Sequence, residues 1–151
     1  MADSMDKFSK PVKTKTHKLG KVFFMKPRRN PKKPGRELVV NFDSRFPLVE
    51  NFAINYSYYV KFFDKGNFAG NHYHIKKREL FVPILGDFVV KLEDIKTHTT
   101  EEINLRSEDY CAFSFSRETA HKVISKNKDA ILLVLATSSN IDDDEFSFTV
   151  D

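Results

Sequence analysis

With 151 residues, 40% of them hydrophobic, the chain is long enough to bury the core of one globular domain, and its net charge is +4. No apolar run approaches the ~20 residues needed to cross a bilayer, and the polar, basic N-terminus lacks the apolar stretch of a secretory signal. The single cysteine, Cys111, excludes an internal disulfide, so we expect a cytoplasmic protein in which this thiol is a small buried side chain.

Residues 1–36 are predicted to form a flexible, basic, partly disordered extension. They carry 12 Lys/Arg and 2 Asp/Glu, a net charge of +10, whereas the remaining 115 residues have a net charge of −6. Residues 1–18 lack apolar periodicity, Lys21–Met25 predicts a short strand at a sheet edge or in a partner subunit, and the prolines of residues 27–35 predict a loop. A basic segment can bind polyanions, but its aromatic residues are not interleaved with the charges, so we do not expect nucleic acid to bind.

From Glu37 onward the pattern is that of β-strands. Phe, Tyr, Val and Ile dominate, and alternation is clear at Asn55–Val60. We predict strands at residues 37–42, 54–63, 71–75, 79–84, 87–94, 100–105, 110–115, 120–126 and 129–137. The acidic run 142–145 predicts a solvated turn, and residues 146–150 predict a last strand. Many short strands with almost no helical periodicity predict a single all-β sandwich or barrel over residues 37–151.

The segment between Gly66 and Gly86 contains the residues most suited to chemistry. His72 and His74 are two residues apart, so in a strand their imidazoles share one face. The polar residues 76–78 predict a turn, after which Glu79 opens the next strand and points back at the pair. Two imidazoles and a carboxylate that converge form either a divalent-metal site or an acid–base site.

The spacing G-x5-H-x-H-x4-E-x6-G resembles the first motif of the cupin superfamily, and His121 stands where the second motif supplies another histidine. The other positions of that second motif differ, with Tyr110, Ser116, Glu118 and Ser125 in place of glycine, proline, glycine and asparagine. The resemblance implies a double-stranded β-helix, or jelly-roll, barrel. It also implies a divalent zinc, iron, manganese or nickel ion held by His72, His74, Glu79 and His121. A metal-free site is the alternative.

Residues 37–145 further resemble the small cupins of sugar-nucleotide metabolism. One group, the dTDP-4-keto-6-deoxyhexose 3,4-ketoisomerases, has an H-A-H-K motif and usually glutamine where Glu79 stands. The other, the C-terminal cupin domain of bifunctional capsular-polysaccharide reductases, holds zinc with an H-Y-H motif, a glutamate and a later histidine. His72-Tyr-His74 and Glu79 are more similar to the second group.

Substrate contacts are expected from both the residues and the resemblance. Tyr56 and Tyr58 share one face of the strand before the motif, so a hydroxyl is expected to reach the cavity. The ketoisomerase group has an arginine where this chain has Ala69. Binding of the nucleotide phosphates would therefore fall to Lys76 or its neighbours, or to the basic N-terminal segment.

The resemblance implies a sugar-nucleotide isomerase or epimerase of cell-envelope polysaccharide biosynthesis. A metal would polarise the keto oxygen, whereas in a metal-free site His72 and His74 would transfer the proton as general base and acid. These mechanisms exclude each other, because a lone pair given to a metal cannot take a proton. The alternatives are a cupin that binds a ligand without turnover and a dioxygenase-like metalloenzyme acting on another small molecule. Barrels of this class often pair, so we expect a homodimer.

Overall fold

Two antiparallel β-sheets face each other in this computed structural model, which describes residues 5–139 and 142–151. Within these residues the strands are β1 Lys13–Thr16, β2 Gly20–Phe24, β3 Tyr56–Phe62, β4 Phe68–Tyr73, β5 Glu79–Leu85, β6 Asp87–Asp94, β7 Thr100–Arg106, β8 Cys111–Phe115, β9 Thr119–Ser125, β10 Ala130–Ala136 and β11 Phe146–Ser147. One sheet has the order β1-β2-β8-β5-β10-β3 and the other the order β11-β4-β9-β6-β7. The prediction of an all-β fold is confirmed.

The core lies between the two sheets, and alternation along each strand decides which side chains enter it. In β6, Phe88, Val90 and Leu92 are buried while the residues between them are less so. From the opposite sheet, β10 contributes Leu132 and β8 contributes Phe113, both fully buried. Burying one such side chain stabilises the fold by roughly 1.5–3 kcal/mol.

A second apolar cluster covers the outer face of the six-stranded sheet. The strand predicted at residues 37–42 is wrong, because the described backbone there makes a single β-bridge, between Leu38 and Arg28. The chain instead runs irregularly across the sheet, where Phe52 is buried and packs with Leu80 and Val82. Apolar residues in this stretch mark burial against a sheet face, and sequence alone does not distinguish that from a strand.

The N-terminal residues enter the six-stranded sheet. The strand predicted at Lys21–Met25 is confirmed to within one residue as β2, but it pairs with β8 along its whole length and with β1 on its other side, so it is not at the sheet edge. Strand β1, in contrast, lies within residues 1–18, for which the sequence predicts a flexible chain. All four of its residues are exposed, and it is held by backbone pairing with β2, which hydrophobic periodicity does not detect. Residues 1–4 lie outside the described part of the chain.

None of the helices in the described residues is long and apolar enough to span a membrane.

Candidate metal centre

Strands β4, β5 and β9 bring the four predicted residues together at one end of the barrel. Each of them offers one ligand atom, and these atoms all lie within 4.8 Å of one another. His74, Glu79 and His121 are buried, and His72 is partly exposed. Glu79 is the first residue of β5, as the spacing predicts, and His72 faces His121 across the β4–β9 ladder.

A β-bulge in β4 turns His72 towards the interior. Ala69 and His72 are an odd number of residues apart, yet both line the same cavity. The register shifts between them, where Gly70 has φ 110° and Asn71 has φ 61°. A Cβ atom on Gly70 would lie 2.4 Å from the carbonyl oxygen of His121, so glycine is required for the close approach of β9.

Each of the three histidines has its Nδ1 atom next to an oxygen on the side away from the cluster. The pairs are His74 Nδ1 with the Asp144 carbonyl at 2.8 Å, His121 Nδ1 with the Thr119 carbonyl at 3.3 Å, and His72 Nδ1 with Glu145 Oε1 at 3.4 Å. A hydrogen bond to a carbonyl or carboxylate requires a proton on Nδ1, which leaves the Nε2 lone pair available. An oxygen next to Nδ1 that orients the ring in this way is typical of histidines that bind metal through Nε2.

The atoms that face the interior of the cluster fit a metal ion better than a hydrogen-bond network. Glu79 Oε1 lies 3.2 Å from His74 Nε2 and 3.3 Å from His121 Nε2. Nevertheless His74 Nε2 and Glu79 Oε1 are buried and have no hydrogen-bond partner among the described residues. Two ligand atoms about 2.0–2.1 Å from a tetrahedral ion would be about 3.3 Å apart. Three neutral imidazoles and one carboxylate suit zinc and similar divalent ions.

Glu79 is held through its other oxygen. Oε2 accepts a hydrogen bond from the Tyr58 hydroxyl at 3.1 Å and lies 3.6 Å from Lys77 Nζ. Burial alone would raise the pKa of Glu79, but the close approach of the buried imidazoles of His121 and His74, together with the charge of Lys77, holds this pKa well below its usual range. The Tyr58 hydroxyl keeps its proton, because burial and then the Glu79 carboxylate raise its pKa far above the ordinary value.

The imidazoles of His72 and His74 differ in basicity. Burial, followed by the charges of His121 and His74, lowers the pKa of His72 to about 4, so its lone pair is free at neutral pH. For His74, burial would lower the pKa, but the neighbouring Glu79 outweighs it and the pKa is raised. A free lone pair on His72 serves equally well for a metal ligand and for a general base.

Asp144 fixes the turn that joins His74 to Glu79. Its buried carboxylate accepts hydrogen bonds from the backbone N–H groups of three consecutive residues, Ile75, Lys76 and Lys77, at 2.8–3.0 Å. Burial would raise the pKa of Asp144, but these backbone donors lower it. The acidic run predicted as a solvated turn therefore contributes a buried carboxylate to the site.

The predicted substrate-binding residues have different surroundings. Tyr58 lines the cavity, and Tyr56 is half-buried with its ring centroid 5.6 Å from that of Tyr58. The Lys76 side chain is exposed, whereas Lys77 is buried next to Glu79. Sequence reasoning missed Asp144 as a site residue and considered Lys77 only as a phosphate contact beside Lys76, because each lies within a run of like charges that resembles a solvated surface.

The cavity beside the four residues is small, at about 40 Å³. Its wall is apolar apart from the site residues and includes Val60, Phe81 and Leu132. A water molecule needs roughly 10–15 Å³ of such volume, whereas pockets for organic ligands usually measure about 300–1,000 Å³. The cavity therefore has room for an ion and a few waters, and a sugar would have to approach from the partly exposed side of His72.

Comparison with known families identifies the chain. Residues 41–146 match the model of the polysaccharide biosynthesis C-terminal domain family. The chain belongs to this family. No match is found among curated proteins.

Solved structures place this polysaccharide biosynthesis C-terminal domain in the cupin fold. It resembles a dTDP-4-dehydrorhamnose 3,5-epimerase from Bacillus anthracis (TM-score 0.75, 8% identity, covering 89% of this chain and 82% of that one). It also resembles a sugar 3,4-ketoisomerase from Thermoanaerobacterium thermosaccharolyticum (TM-score 0.67, 17% identity, 87% and 89%). A third relative is a 3′-monoepimerase from Streptomyces bikiniensis (TM-score 0.58, 17% identity, 64% and 52%), of which the chain spans about half the length. The predicted jelly-roll cupin barrel is confirmed, and at these identities the likeness is one of fold.

Proposed function

We propose that the protein is an isomerase or epimerase that acts on a nucleotide-linked keto sugar in cell-envelope polysaccharide biosynthesis, with a divalent metal at His72, His74, Glu79 and His121. The observation that carries the proposal is the convergence of these four residues in a chain of a polysaccharide biosynthesis family. The proposal also draws on the three structural relatives, which are sugar epimerases and a ketoisomerase, each with TDP or dTDP bound.

The chemistry requires removal of a proton next to a keto group. A divalent ion held by the four residues would act as a Lewis acid on the keto oxygen. Because the ligated nitrogens cannot take the proton in this form, it would pass from the carbon to a water molecule at the partly exposed side of His72. The Tyr58 hydroxyl lines the cavity, keeps its proton, and donates a hydrogen bond to Glu79 Oε2 at 3.1 Å. When the sugar binds, this single O–H would turn from Glu79 to the sugar oxygen on which negative charge develops, and we assign Tyr58 that hydrogen bond.

The metal-free form of the proposal uses the histidines themselves. The low pKa of His72 gives it a free lone pair as general base, and His74, whose pKa is raised beside Glu79, acts as the acid. We favour the metal form because a buried Glu79 oxygen and a buried His74 nitrogen face each other without forming a hydrogen bond among the described residues.

One observation favours a second candidate, a cupin that binds a ligand without turnover. The cavity of about 40 Å³ is far smaller than a hexose-binding pocket. For the enzyme, the sugar would have to present only its keto oxygen to the centre while its ring stays outside.

Proton exchange distinguishes these candidates. The protein is incubated in D2O with dTDP-linked and UDP-linked 4-keto sugars, and the sugar protons are followed by NMR. We expect loss of the proton signal at a carbon next to the keto group, and expect His74→Ala to abolish it. His98→Ala is the matched control, because His98 is exposed and paired with Glu93 at 2.9 Å. Absence of exchange with every sugar would remove the enzyme proposal in favour of the binding module.

Metal content is tested separately, on protein purified without a metal-affinity step. We expect about one zinc, iron, manganese or nickel ion per chain by elemental analysis. Protein that exchanges sugar protons while containing no stoichiometric metal would favour the metal-free form, in which His72 is the base.

We also propose that the protein is cytoplasmic and forms a homodimer. Strand β3 is an edge of the six-stranded sheet, and Tyr59 on it and Phe63 just after it are 70% and 68% exposed. Apolar residues so exposed on a sheet edge are typical of a contact surface. Light scattering should give twice the mass of the chain, and Tyr59→Lys should reduce it. A monomeric mass for the unaltered protein would refute the dimer.

A further inference from the structure

A groove on the outer face of the six-stranded sheet is much larger than the cavity at the metal centre. It measures about 790 Å³, against about 40 Å³ for that cavity, and so it has the size of pockets that hold organic ligands. The loop that joins β1 to β2 lines this groove, and so do residues 47–51, which pack on the outer apolar cluster. The groove therefore has room for a small molecule that the interior of the barrel cannot accept.

Alternation along the strands directs polar side chains into this groove. In β8, Phe113 and Phe115 belong to the core, so Ser114 between them faces outward. Lys21 of β2 is the cross-strand partner of Ser114, and it precedes Val22, which belongs to the core. Both Ser114 and Lys21 line the groove. The outer face of this sheet, which is apolar further along the strands, therefore ends in a hydroxyl and an ammonium group at the groove.

Arg78 brings a second cation to the groove from the residue before β5. Its guanidinium lies 5.8 Å from the ring centroid of Phe52, which belongs to the outer cluster, and Nη1 donates a hydrogen bond to the Glu50 carbonyl at 3.1 Å. Burial and then the charge of Arg117 lower the pKa of Arg78. The guanidinium is thus partly desolvated and lies near another cation, an arrangement that an anion would stabilise.

Positive charge exceeds negative charge among the residues that line the groove. Lys18, Lys21 and Arg78 contribute three cations, and exposed Glu50 contributes one carboxylate, which leaves a net charge of +2 with histidine neutral. Within the described part of the chain, none of these three cations forms an ion pair with a carboxylate, and the Ser114 hydroxyl has no hydrogen-bond partner. Arginine, lysine and hydroxyl donors without carboxylate partners are the groups that bind phosphate in proteins.

We infer that this groove binds the phosphate or diphosphate group of a soluble small molecule, with Arg78 and Lys21 as the charged donors and the Ser114 hydroxyl as a further donor. The inference goes beyond the proposed function and does not depend on it. Arg78 contacts the outer cluster, whereas the next residue, Glu79, faces the interior, so the groove and the metal centre lie on opposite faces of one sheet. The lipid phosphates of a membrane surface have the same chemistry, and the test separates the two sources.

Calorimetric titration of the full chain with inorganic pyrophosphate tests the site, at low ionic strength because salt screens exposed charges. Arg78→Gln and Lys21→Gln should each raise the dissociation constant by about tenfold or more, since each removes a charge-assisted donor. Lys15→Gln is the matched control, because Lys15 is an exposed lysine of the same β1–β2 hairpin outside the groove, and it should change the constant by less than about twofold. Circular dichroism establishes that each variant is folded.

The Lys21 variant decides the matter even if Arg78→Gln does not fold, because Lys21 is exposed and its replacement leaves the packing unchanged. Weaker pyrophosphate binding in Lys21→Gln than in Lys15→Gln supports the inference. No saturable binding by the unaltered protein overturns it, and so does equal affinity of the unaltered protein and Lys21→Gln, which would place the anion at the metal centre or elsewhere. Sedimentation with vesicles of phosphatidylcholine and phosphatidic acid, without binding of pyrophosphate, also overturns it in favour of a membrane surface. The metal content of the protein is not affected by any of these results.

Discussion

Asp144→Asn should destabilise the protein far more than its place in a run of four acidic residues suggests. Oδ1 of Asp144 accepts the N–H groups of Ile75 and Lys76, and Oδ2 accepts that of Lys77, at 3.0, 2.8 and 2.8 Å. With an amide in place of the carboxylate, the Lys77 N–H faces an NH2 group and loses its acceptor, which costs about 1–3 kcal/mol. The hydrogen bonds from the N–H groups of Ile75 and Lys76 would then be accepted by a neutral amide oxygen instead of a carboxylate. This change weakens each of them by roughly 0.5–1 kcal/mol.

The expected loss is therefore about 3 kcal/mol in the free energy of unfolding, measured by urea denaturation of the chelator-treated protein. Asp143→Asn is the matched control, because Asp143 is exposed and should change stability by less than about 0.5 kcal/mol. The backbone donors lower the pKa of Asp144 in the folded state. Its stabilisation is therefore present above the unfolded pKa of about 3.9 and is lost as the pH falls through the lower folded value. Equal stability of the two variants at pH 7, or a difference that grows on acidification, would refute this reasoning.

Three further predictions concern the centre and the core. Glu79→Gln should lower the affinity for Zn²⁺, measured by calorimetric titration, by about 100-fold or more, since the substitution removes the charged ligand. An unchanged affinity would exclude Glu79 as a ligand. Gly70→Ala should cost about 2–4 kcal/mol in urea denaturation, against about 1 kcal/mol for Gly66→Ala. Both glycines have positive φ, but only on Gly70 would an added Cβ clash with a backbone carbonyl, that of His121. Burial and then Asp109 raise the pKa of the Cys111 thiol to about 11, so iodoacetamide should label it, by mass spectrometry, only after unfolding.

The sequence predicts those parts of the fold whose signal is local. Alternation at Asn55–Val60 places β3 to within two residues, and the spacing of His72, His74 and Glu79 places two of the three strands that carry the centre. Local patterns do not reveal where an apolar segment packs. Residues 37–42 have the composition of a strand, but the chain beyond them covers the outer face of a sheet. An apolar segment can be buried as a strand paired within a sheet or as an irregular segment packed on the face of a sheet. Which of the two occurs depends on contacts that are distant in the sequence.

Buried charges are the second limit of sequence reasoning. Lys77 and its exposed neighbour Lys76 belong to the same basic run, and the difference between them depends on Glu79 and on the backbone hydrogen bonds to Asp144. Asp144 lies 67 residues from the last of the N–H groups it accepts. No pattern within either run carries this information, because the burial of a charge is decided by the partner that compensates it. Sequence therefore predicts the ligands of the centre more readily than the residues that orient them.

The C-terminal segment orients two of the histidines, so its attachment to the barrel should be linked to metal binding. Its strand β11 pairs with β4 over two residues only, and the N–H groups of Phe148 and Val150 bond to Asn71 in the bulge that aims His72. A metal that binds only the docked arrangement stabilises it by RT ln(1 + [L]/Kd), or about 2.7 kcal/mol at 100 times the Kd. Hydrogen exchange at these two amides should then slow by about 100-fold on addition of Zn²⁺.

The β1–β2 hairpin provides the internal control for that measurement. The His17 N–H group bonds to the Gly20 carbonyl in this hairpin, in the sheet opposite to β4, and is not expected to respond to the metal. A uniform slowing at all amides would mean that the metal stabilises the whole fold rather than the segment. No slowing at Phe148 and Val150 would mean that the histidines are oriented without the C-terminal segment, and that the oxygens of Asp144 and Glu145 next to their Nδ1 atoms contribute nothing to metal affinity.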